Sequence, residues 1–312
     1  MEKTCGNENE TDALDAGSIL DDRYVISKVI GSGGFGITYL AYDTVLEKSV
    51  AVKEFYPKGL VVRGIDNITI EPITSFHAEE FRNGAERFRN EAEILSGLGD
   101  NTDVIKVYDC FGQNGTIYYV MEYVHGITIN EYTKRYGKIS EGQALFAAGN
   151  ITDTFGHIHS RNIIHRDLSP NNVMLTVDGR VMLVDFGNAR PFFNEVENSM
   201  TVALKPGYAP LEQYQHHGNH GPWTDIYSLG TVLYYALTLE SPRDPMTRLE
   251  DDSDFQNGLA KINSLLAAVI NKMAAVRIRD RYSGWEELLS DLKQVKIDPE
   301  KFYVHISENT NS

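Results

Sequence analysis

The sequence predicts an α+β fold in two parts, with an antiparallel sheet and one helix first and a mainly helical part after it. β-Branched and aromatic residues, typical of strands, stand on both sides of a glycine-rich turn within residues 24–39. Phe88, Ala92 and Leu95 recur at the spacing of one helix face. The apolar run 231–239 is too short to cross a bilayer and predicts a buried helix segment. With 312 residues, 42% of them hydrophobic, the chain can bury a sizeable core.

We divide the chain into consecutive segments. They are an acidic leader over 1–19, a sheet-rich lobe over 20–124, a helical lobe over 125–295 and a C-terminal tail over 296–312. The first 22 residues hold seven carboxylates against one lysine, which predicts a solvated and mobile leader. Gly126 breaks the regular structure after the last predicted strand of the first lobe.

Charge and cysteine content limit the partners and the setting. The formal net charge is −15, whereas nucleic acid and anionic membranes require a basic surface, so neither is expected as the main partner. The two cysteines, Cys5 and Cys110, predict no disulfide framework and favour a reducing compartment. The first residues are acidic and polar, unlike a secretory signal. We therefore expect a cytoplasmic protein without membrane insertion.

Three polar side chains in the middle of the chain provide the groups that phosphoryl transfer from a nucleotide requires. Asp167 can orient the attacking hydroxyl, while Asn172 and Asp185 can hold magnesium against the phosphates. They follow the pattern H-R-D-x-x-x-x-N over 165–172 and then D-F-G over 185–187. One short match alone would also suit a solvated turn, but these matches occur in order and at the required spacing.

A glycine pattern near the N-terminus provides a second signal. Gly31, Gly33 and Gly36 form G-x-G-x-x-G, in which backbone amides can approach phosphates without a Cβ in the way. The same pattern marks dinucleotide-binding turns, and Glu54 stands near the position of their ribose-binding acid, so spacing alone leaves that alternative open. The strand-like flanks, and Lys53 on the next apolar strand, favour a strand–turn–strand flap.

Together these motifs resemble the eukaryotic-type protein kinase family. The stretches GGFGITYLAYD, VAVKEFYP and GYAPLEQY are most similar to bacterial serine/threonine kinases, and the resemblance covers about residues 20–292. It includes elements that do no chemistry, such as Asp225, where the family anchors its catalytic loop. Arg281 matches the arginine that pairs with the glutamate of the A-P-E motif, here Glu212. The resemblance implies a bilobal protein-kinase-like fold.

The resemblance also implies ATP and Mg²⁺ as cofactors. Lys53 would pair the α- and β-phosphates and a glutamate, for which Glu91 fits better than Glu93 because Glu91 lies beside the apolar helix face. Asn172 and Asp185 would bind the metal. Met121 would gate the adenine pocket and Met174 would lie under the purine, although both could equally fill the core. The nucleotide-binding set is Ile30, Gly31, Ser32, Gly33, Gly34, Phe35, Gly36, Thr38, Ala51, Lys53, Met121, Glu122, Val124, Met174 and Asp185.

The chain departs from the family in two places. Most serine/threonine kinases carry a lysine two residues after the catalytic aspartate, where this chain has Ser169. The matching threonine of the substrate-facing loop is Lys205, so the hydroxyl and the ammonium are exchanged between the loops. We hypothesise that Lys205 places its charge beside Asp167 and that Ser169 supplies the hydroxyl contact.

The second departure is an insertion between Lys53 and Glu91, which predicts an extra hairpin. The hairpin either docks a partner or, as we favour, rests on the first lobe.

Regulatory and metal-binding signals are weaker. Arg166 precedes the catalytic aspartate, which is common in kinases switched by activation-loop phosphorylation, and the candidate acceptors are Ser199 and Thr201. Ordinary loop hydroxyls explain both equally well. A metal site from His216, His217 and His220 lacks a completing ligand and is not favoured, and we interpret His157 and His159 as packing residues.

The predicted function is transfer of the ATP γ-phosphoryl group to serine or threonine hydroxyls of proteins, including the chain itself. The catalytic set is Asp167, Lys53, Glu91, Asn172, Lys205 and Ser169. A pseudokinase that acts as a nucleotide-binding scaffold is the first alternative, supported only by the exchange of Ser169 and Lys205. A small-molecule kinase is the second, but that class lacks the GYAPLEQ segment that here suits a polypeptide acceptor.

Overall fold

The chain divides into two compact units. One comprises residues 1–99 and 105–123, and the other comprises 100–104 and 124–312. The computed structural model describes residues 12–98, 103–186, 190–191, 204–215 and 218–304. The predicted α+β class is confirmed, since one unit is built on an antiparallel sheet and the other is mainly helical.

A six-stranded antiparallel sheet forms the first unit. The strands of this unit are β1 (Ile19–Leu20), β2 (Tyr24–Ser32), β3 (Gly36–Asp43), β4 (Lys48–Phe55), β5 (Val61–Arg63), β6 (Ile70–Pro72), β7 (Val107–Gln113) and β8 (Thr116–Glu122). The large sheet has the order β1-β2-β3-β4-β8-β7, while β5 and β6 pair as a separate hairpin. Among the described residues of this unit, α1 (His77–Gly97) is the one helix, as predicted.

Helix α1 packs on β4 through a glycine. The ring of Phe55 on β4 lies with its centroid 5.4 Å from those of both Phe81 and Phe88. A Cβ on Gly84 would lie 2.5 Å from Cζ of Phe55. Glycine weakens a helix interior by about 1 kcal/mol relative to alanine, but here it permits the close approach. The contact fixes the helix face that carries Glu91, which is also buried.

The insertion after β4 forms the predicted hairpin, β5–β6, and is anchored on the sheet of its own unit. Nη2 of Arg63 donates to Oε2 of Glu54 at 2.6 Å. Glu54 is fully buried and also accepts bonds from the hydroxyls of Tyr39 at 2.7 Å and Tyr118 at 2.6 Å. The Arg63 side chain is 3% exposed. Because both charges are buried away from water, removal of either one would leave the other buried without compensation.

Part of the leader that we predicted to be mobile is packed. Residues 1–11 lie outside the described residues, but Ala13 and Leu14 are buried in the core of the first unit. The backbone oxygen of Asp12 accepts a bond from Nε of Arg63 at 2.7 Å. The prediction was wrong for the described part because two apolar residues within the acidic stretch reach the core, and because the inserted hairpin supplies a donor to the backbone.

Arg63→Met is expected to lower the free energy of unfolding by about 3–5 kcal/mol, because Glu54 would keep a buried charge without its cation. Urea unfolding at neutral pH measures the loss. Arg82→Met, at an exposed position of α1, is the matched control and should change little. Adding Glu54→Gln to Arg63→Met should restore part of the stability. If it restores none, the loss comes from packing and not from the uncompensated charge.

The second unit is mainly helical. Its helices are α2 (Ile129–Tyr136), α3 (Glu141–His159), α4 (Pro222–Thr238), α5 (Pro245–Glu250), α6 (Ser253–Leu259), α7 (Ser264–Met273) and α8 (Trp285–Leu292). Its short strands are β9 (Gly126–Thr128), β10 (Ile163–Ile164), β11 (Val173–Thr176), β12 (Val181–Leu183) and β13 (Arg190–Pro191). β11 lies between β12 and β9, and β10 pairs with β13. Within the described ranges, no helix is both long and apolar enough to cross a membrane.

Three features stabilise the second unit: a helix cap, a buried ion pair and a packed C-terminal segment. Ser140 and Gln143 form a capping box at the start of α3, which satisfies backbone donors that would otherwise lack partners. Arg281, just before α8, pairs with Glu212 at 2.8 Å, and both side chains are buried. This is the brace that the resemblance implied. Phe302 of the C-terminal tail is also buried, so the described part of the tail packs on the unit.

Candidate active site

The first unit brings Lys53 and Glu91 together. Lys53 lies on β4, and its Nζ is 3.1 Å from Oε1 of Glu91 on α1. Glu91 is 3% exposed and also accepts a bond from the hydroxyl of Tyr119 at 2.9 Å. Glu93 is exposed, so the choice of Glu91 agrees with the geometry. Tyr119 was not predicted, because its role depends on the pairing of β8 with β4, which the sequence does not specify.

The glycine pattern forms a turn between two strands, β2 and β3. This excludes the strand–turn–helix of a dinucleotide-binding site. A Cβ on Gly36 would lie 2.5 Å from the backbone oxygen of Glu54, so the fold itself requires that glycine. A Cβ on Gly33 or Gly34 would meet nothing within 4 Å. Since the surrounding protein does not require glycine there, the open cradle fits a ligand that approaches the backbone closely, as a phosphate does.

The other predicted nucleotide-binding residues lie in both units. Ala51 on β4 is buried and pairs in register with Met121 on β8. In the second unit Val124 is buried and Met174 on β11 is half-buried. The other members of the predicted set that lie in the first unit and are half-buried or exposed are Ile30, Gly31, Ser32, Phe35, Thr38, Met121 and Glu122.

The loop that carries Asp167 is fixed on the buried carboxylate of Asp225. Its Oδ2 accepts a bond from the backbone nitrogen of His165 at 2.9 Å, and its Oδ1 accepts one from that of Arg166 at 2.8 Å. Burial would raise the pKa of Asp225, but the hydrogen bond from His159 and the contacts around it hold that pKa below its usual range. Arg166 has a φ of +64°, a strained conformation for a side chain of this size. The paired bonds to Asp225 stabilise that strained turn.

The role of His159 could not be recognised from the sequence. We interpreted it as a packing residue, but its Nε2 lies 2.9 Å from Oδ2 of Asp225, so it positions the carboxylate that holds the loop. The pattern gave no signal, because 66 residues separate the two side chains. His157, which received the same interpretation, is exposed.

Asp167 lies close to two other predicted side chains, those of Asn172 and Lys205, and Lys205 also contacts Ser169. Nδ2 of Asn172 donates to the backbone oxygen of Asp167 at 2.7 Å and to its Oδ2 at 3.3 Å. Nζ of Lys205 is 3.0 Å from Oδ1 of Asp167 and donates to Oγ of Ser169 at 3.1 Å. Burial raises the pKa of the Asp167 carboxyl, and the ammonium of Lys205 opposes that shift. The structure therefore shows the contacts expected from the exchange of Ser169 and Lys205.

Asp185 follows β12 with a φ of +63°, and its side chain is exposed. The next residue, Phe186, is fully buried, with its ring centroid 4.4 Å from that of His165. Gly187 lies outside the described residues. The amide nitrogen of Asn172 donates to Asp167. The amide oxygen of Asn172 and the carboxylate of Asp185 are hard oxygen donors. This donor set fits Mg²⁺, which usually takes one or two protein ligands together with substrate phosphates.

Of the three clustered histidines, the structure describes His220 alone. His220 lies with Nε2 3.4 Å from Nη2 of Arg166, and His216 and His217 lie outside the described residues. Across the part of the chain that the structure describes, no group of three or more His, Cys, Asp or Glu side chains could hold a metal ion. Ser199 and Thr201, the candidate phosphate acceptors, also lie outside that part.

Comparison with known proteins agrees with this geometry. A profile of the protein kinase domain matches residues 24–296. The chain is 33% identical over 284 residues to serine/threonine-protein kinase PknA of Nostoc sp., covering 88% of this chain and 48% of that protein. It is 33% identical over 230 residues to serine/threonine-protein kinase PrkC of Bacillus subtilis, covering 73% of this chain and 32% of that protein.

A solved structure, the PpkA-294 apo form, is similar over 90% of this chain and 99% of its own, with a TM-score of 0.79 and 28% identity. The chain spans about half the length of PknA and of serine/threonine-protein kinase D of Synechocystis sp.. The profile match covers far more than half of the sequence, and named relatives are bacterial serine/threonine kinases. The chain belongs to the protein kinase family.

Proposed function

We propose that the protein transfers the γ-phosphoryl group of ATP to serine or threonine hydroxyls of proteins, including its own. The observation that carries the proposal is the environment of Asp167. Its carboxylate is held by Lys205 and Asn172, in a loop that is fixed on Asp225. A carboxylate fixed in this way can orient an acceptor hydroxyl and take its proton, since catalysis of this reaction is mainly positioning and charge stabilisation.

The remaining groups bind and orient the nucleotide. Lys53, held by Glu91, would pair with the phosphates, and the backbone amides around Gly33 and Gly34 would approach them closely. Asn172 and Asp185 would hold magnesium. When bound, this ion neutralises charge on the phosphates.

The position of Lys205 distinguishes this site from the family pattern, in which the lysine follows the catalytic aspartate on the same loop. Because it comes from the segment before Gly207 and not from the loop of Asp167, the substrate-facing segment itself delivers the cation. An ammonium near the transferring group stabilises the charge that develops there. We propose that Lys205 has this role and that Ser169 orients it through the bond at 3.1 Å.

The test is an assay with ATP and Mg²⁺, with a generic protein acceptor and with the protein alone, followed by mapping of modified residues by mass spectrometry. Transfer to serine or threonine supports the proposal, and nucleotide binding without any transfer would support the pseudokinase. Modification at Ser199 or Thr201 would extend the proposal to self-activation, and an unmodified 190–205 peptide would count against it. From the cysteine content we propose the cytoplasm as its location.

Asp185→Asn is expected to weaken ATP binding in the presence of Mg²⁺ by at least about tenfold, since even residues that only support a metal ligand contribute that much. Binding in EDTA should stay the same, because the variant loses only the interaction through the metal. Calorimetric titration of ATP under both conditions measures this difference. Asp153→Asn, at an exposed position of α3, is the control. An equal loss with and without magnesium would exclude the metal role of Asp185.

Neither alternative is favoured. None of the groups that the reaction needs is missing from the described residues, and Lys205 supplies the cation that Ser169 does not. The segment around GYAPLEQY is present and is tied to the unit by the buried pair of Glu212 and Arg281. This segment supports a polypeptide acceptor over a small molecule.

A further inference from the structure

The hydroxyl of Tyr119 and the ammonium of Lys53 donate to the same oxygen of Glu91. This oxygen, Oε1, accepts a bond from Tyr119 at 2.9 Å and one from Lys53 at 3.1 Å. Tyr119 lies directly opposite Lys53 on the neighbouring strand, so the two side chains leave the sheet on the same face. The pairing of β8 with β4 therefore brings both donors to one carboxylate of α1.

The ring of Tyr119 contacts the cation and the helix as well. Nζ of Lys53 lies 5.4 Å from the centroid of this ring and 5.7 Å from that of Phe88. The centroids of the two rings are 4.8 Å apart. Phe88 precedes Glu91 by three residues on α1, so the two side chains are neighbours on the helix surface. The two rings line the ion pair, and an ammonium at this distance is attracted to aromatic faces.

The two donors to Glu91 differ in how freely they can move. Tyr119 is 1% exposed, whereas the side chain of Lys53 is 17% exposed. Lysine carries its charge on a flexible four-carbon stem, while a tyrosine side chain has two torsions and here packs against Phe88. The phenol is therefore the more rigid donor. It can hold the Glu91 carboxylate while the ammonium of Lys53 reaches toward a phosphate.

Loss of the hydroxyl would loosen the carboxylate. Glu91 is 3% exposed, so water cannot readily replace a missing donor. The carboxylate could then rotate about its own side-chain torsions. The ammonium of Lys53, which pairs with it, would move away from the position that β4 and α1 together define.

We propose that Tyr119 is a positioning residue for the reaction. Its hydroxyl fixes the Glu91 carboxylate and, through that carboxylate, places the ammonium of Lys53 for the phosphates of the nucleotide. The proposal rests on the function proposed above, which assigns Lys53 to the phosphates. The hydroxyl thus contributes to binding of ligands that carry phosphates and not to binding of the nucleoside.

Nucleotide binding is tested first, without phosphoryl transfer. The probes are ADP with Mg²⁺, which carries the two phosphates assigned to Lys53, and adenosine, which carries none. Calorimetric titration compares wild type with Tyr119→Phe, which removes the hydroxyl and keeps the ring. Tyr118→Phe is the matched control. Its hydroxyl lies on the opposite face of the same strand and donates to another buried carboxylate, that of Glu54, at 2.6 Å.

The dissociation constant of ADP should rise about tenfold in Tyr119→Phe, which corresponds to about 1.4 kcal/mol, and stay unchanged in Tyr118→Phe. Adenosine should bind equally to all three proteins. An unchanged ADP affinity in Tyr119→Phe would overturn the proposal. Equal losses for ADP and adenosine, or equal losses of ADP affinity in the two variants, would also overturn it, because disturbed packing of the sheet would then explain them.

Removal of the lysine tests whether Tyr119 acts through it. In the background of Lys53→Met, adding Tyr119→Phe should leave ADP affinity unchanged, because the ammonium that the hydroxyl places is absent. A loss as large as in wild type would show that Tyr119 acts by another route and would overturn the proposal. If thermal unfolding shows that Lys53→Met is not folded, Lys53→Met combined with Glu91→Gln, which removes both charges, serves as the background.

Phosphoryl transfer separates this proposal from the proposed function. With ATP and Mg²⁺, kcat/KM for ATP should fall about tenfold in Tyr119→Phe, the same fold-change as for ADP binding, and stay at the wild-type value in Tyr118→Phe. An ADP affinity that depends on Tyr119, without transfer by wild type to any acceptor, would refute the kinase activity and retain the positioning role. Transfer with equal kcat/KM in wild type and Tyr119→Phe would retain the activity and refute the role.

Discussion

Asp167→Asn is expected to lower phosphoryl transfer about 10²- to 10⁴-fold, the usual contribution of a positioned base, while ATP binding should change little. Asparagine keeps the shape of the side chain and an acceptor for Asn172, but it cannot take a proton. Initial rates with a generic protein acceptor measure the loss, and calorimetric titration measures ATP affinity.

Two comparisons make this result specific to the carboxylate. Asp153→Asn, on the exposed face of α3, should retain wild-type rates. Asp185→Asn should lose magnesium-dependent affinity as well as rate. If Asp167→Asn and Asp185→Asn lose ATP affinity equally, the division of roles between base and metal ligand is wrong.

The second large effect concerns Lys205. Lys205→Thr is expected to lower kcat about 10²- to 10³-fold, the usual cost of removing one group that stabilises transition-state charge. The variant loses the ammonium that lies 3.0 Å from Asp167. Lys293→Thr, an exposed position after α8, controls for the loss of one positive charge.

Moving the charge back tests the exchange directly. Ser169→Lys combined with Lys205→Thr places the lysine on the loop of Asp167 and the hydroxyl on the opposite segment. If the two positions share one function, this double variant should recover much of the lost rate. A double-mutant cycle with kcat as readout measures the coupling. If the double variant is no faster than Lys205→Thr alone, the two residues do not substitute for each other.

The sequence predicted the groups that lie close together along the chain. Asp167 and Asn172 are five residues apart, so a short motif specifies both. Lys53 and Glu91 are farther apart: the resemblance to the family indicated Lys53, and helix periodicity favoured Glu91 over Glu93. The contact of Lys205 with Asp167 was predicted because two departures from one family pattern compensated each other.

Contacts that only the tertiary structure creates could not be predicted. His159 supports Asp225 across 66 positions, and nothing in the local sequence distinguishes it from a packing residue. The acidic composition of the leader suggested mobility, whereas Leu14 is buried.

The ion pair between Arg63 on the β5–β6 hairpin and Glu54 on β4 should couple the evolution of these two parts of the chain. Removing the hairpin alone would abandon a negative charge in the core, and acquiring the carboxylate alone would do the same. We therefore expect the hairpin and the carboxylate to have been gained or lost within a few mutational steps of each other in the ancestry of this chain. Homologues without the hairpin should carry an uncharged residue at the position of Glu54, and an aligned family would show the two features varying together.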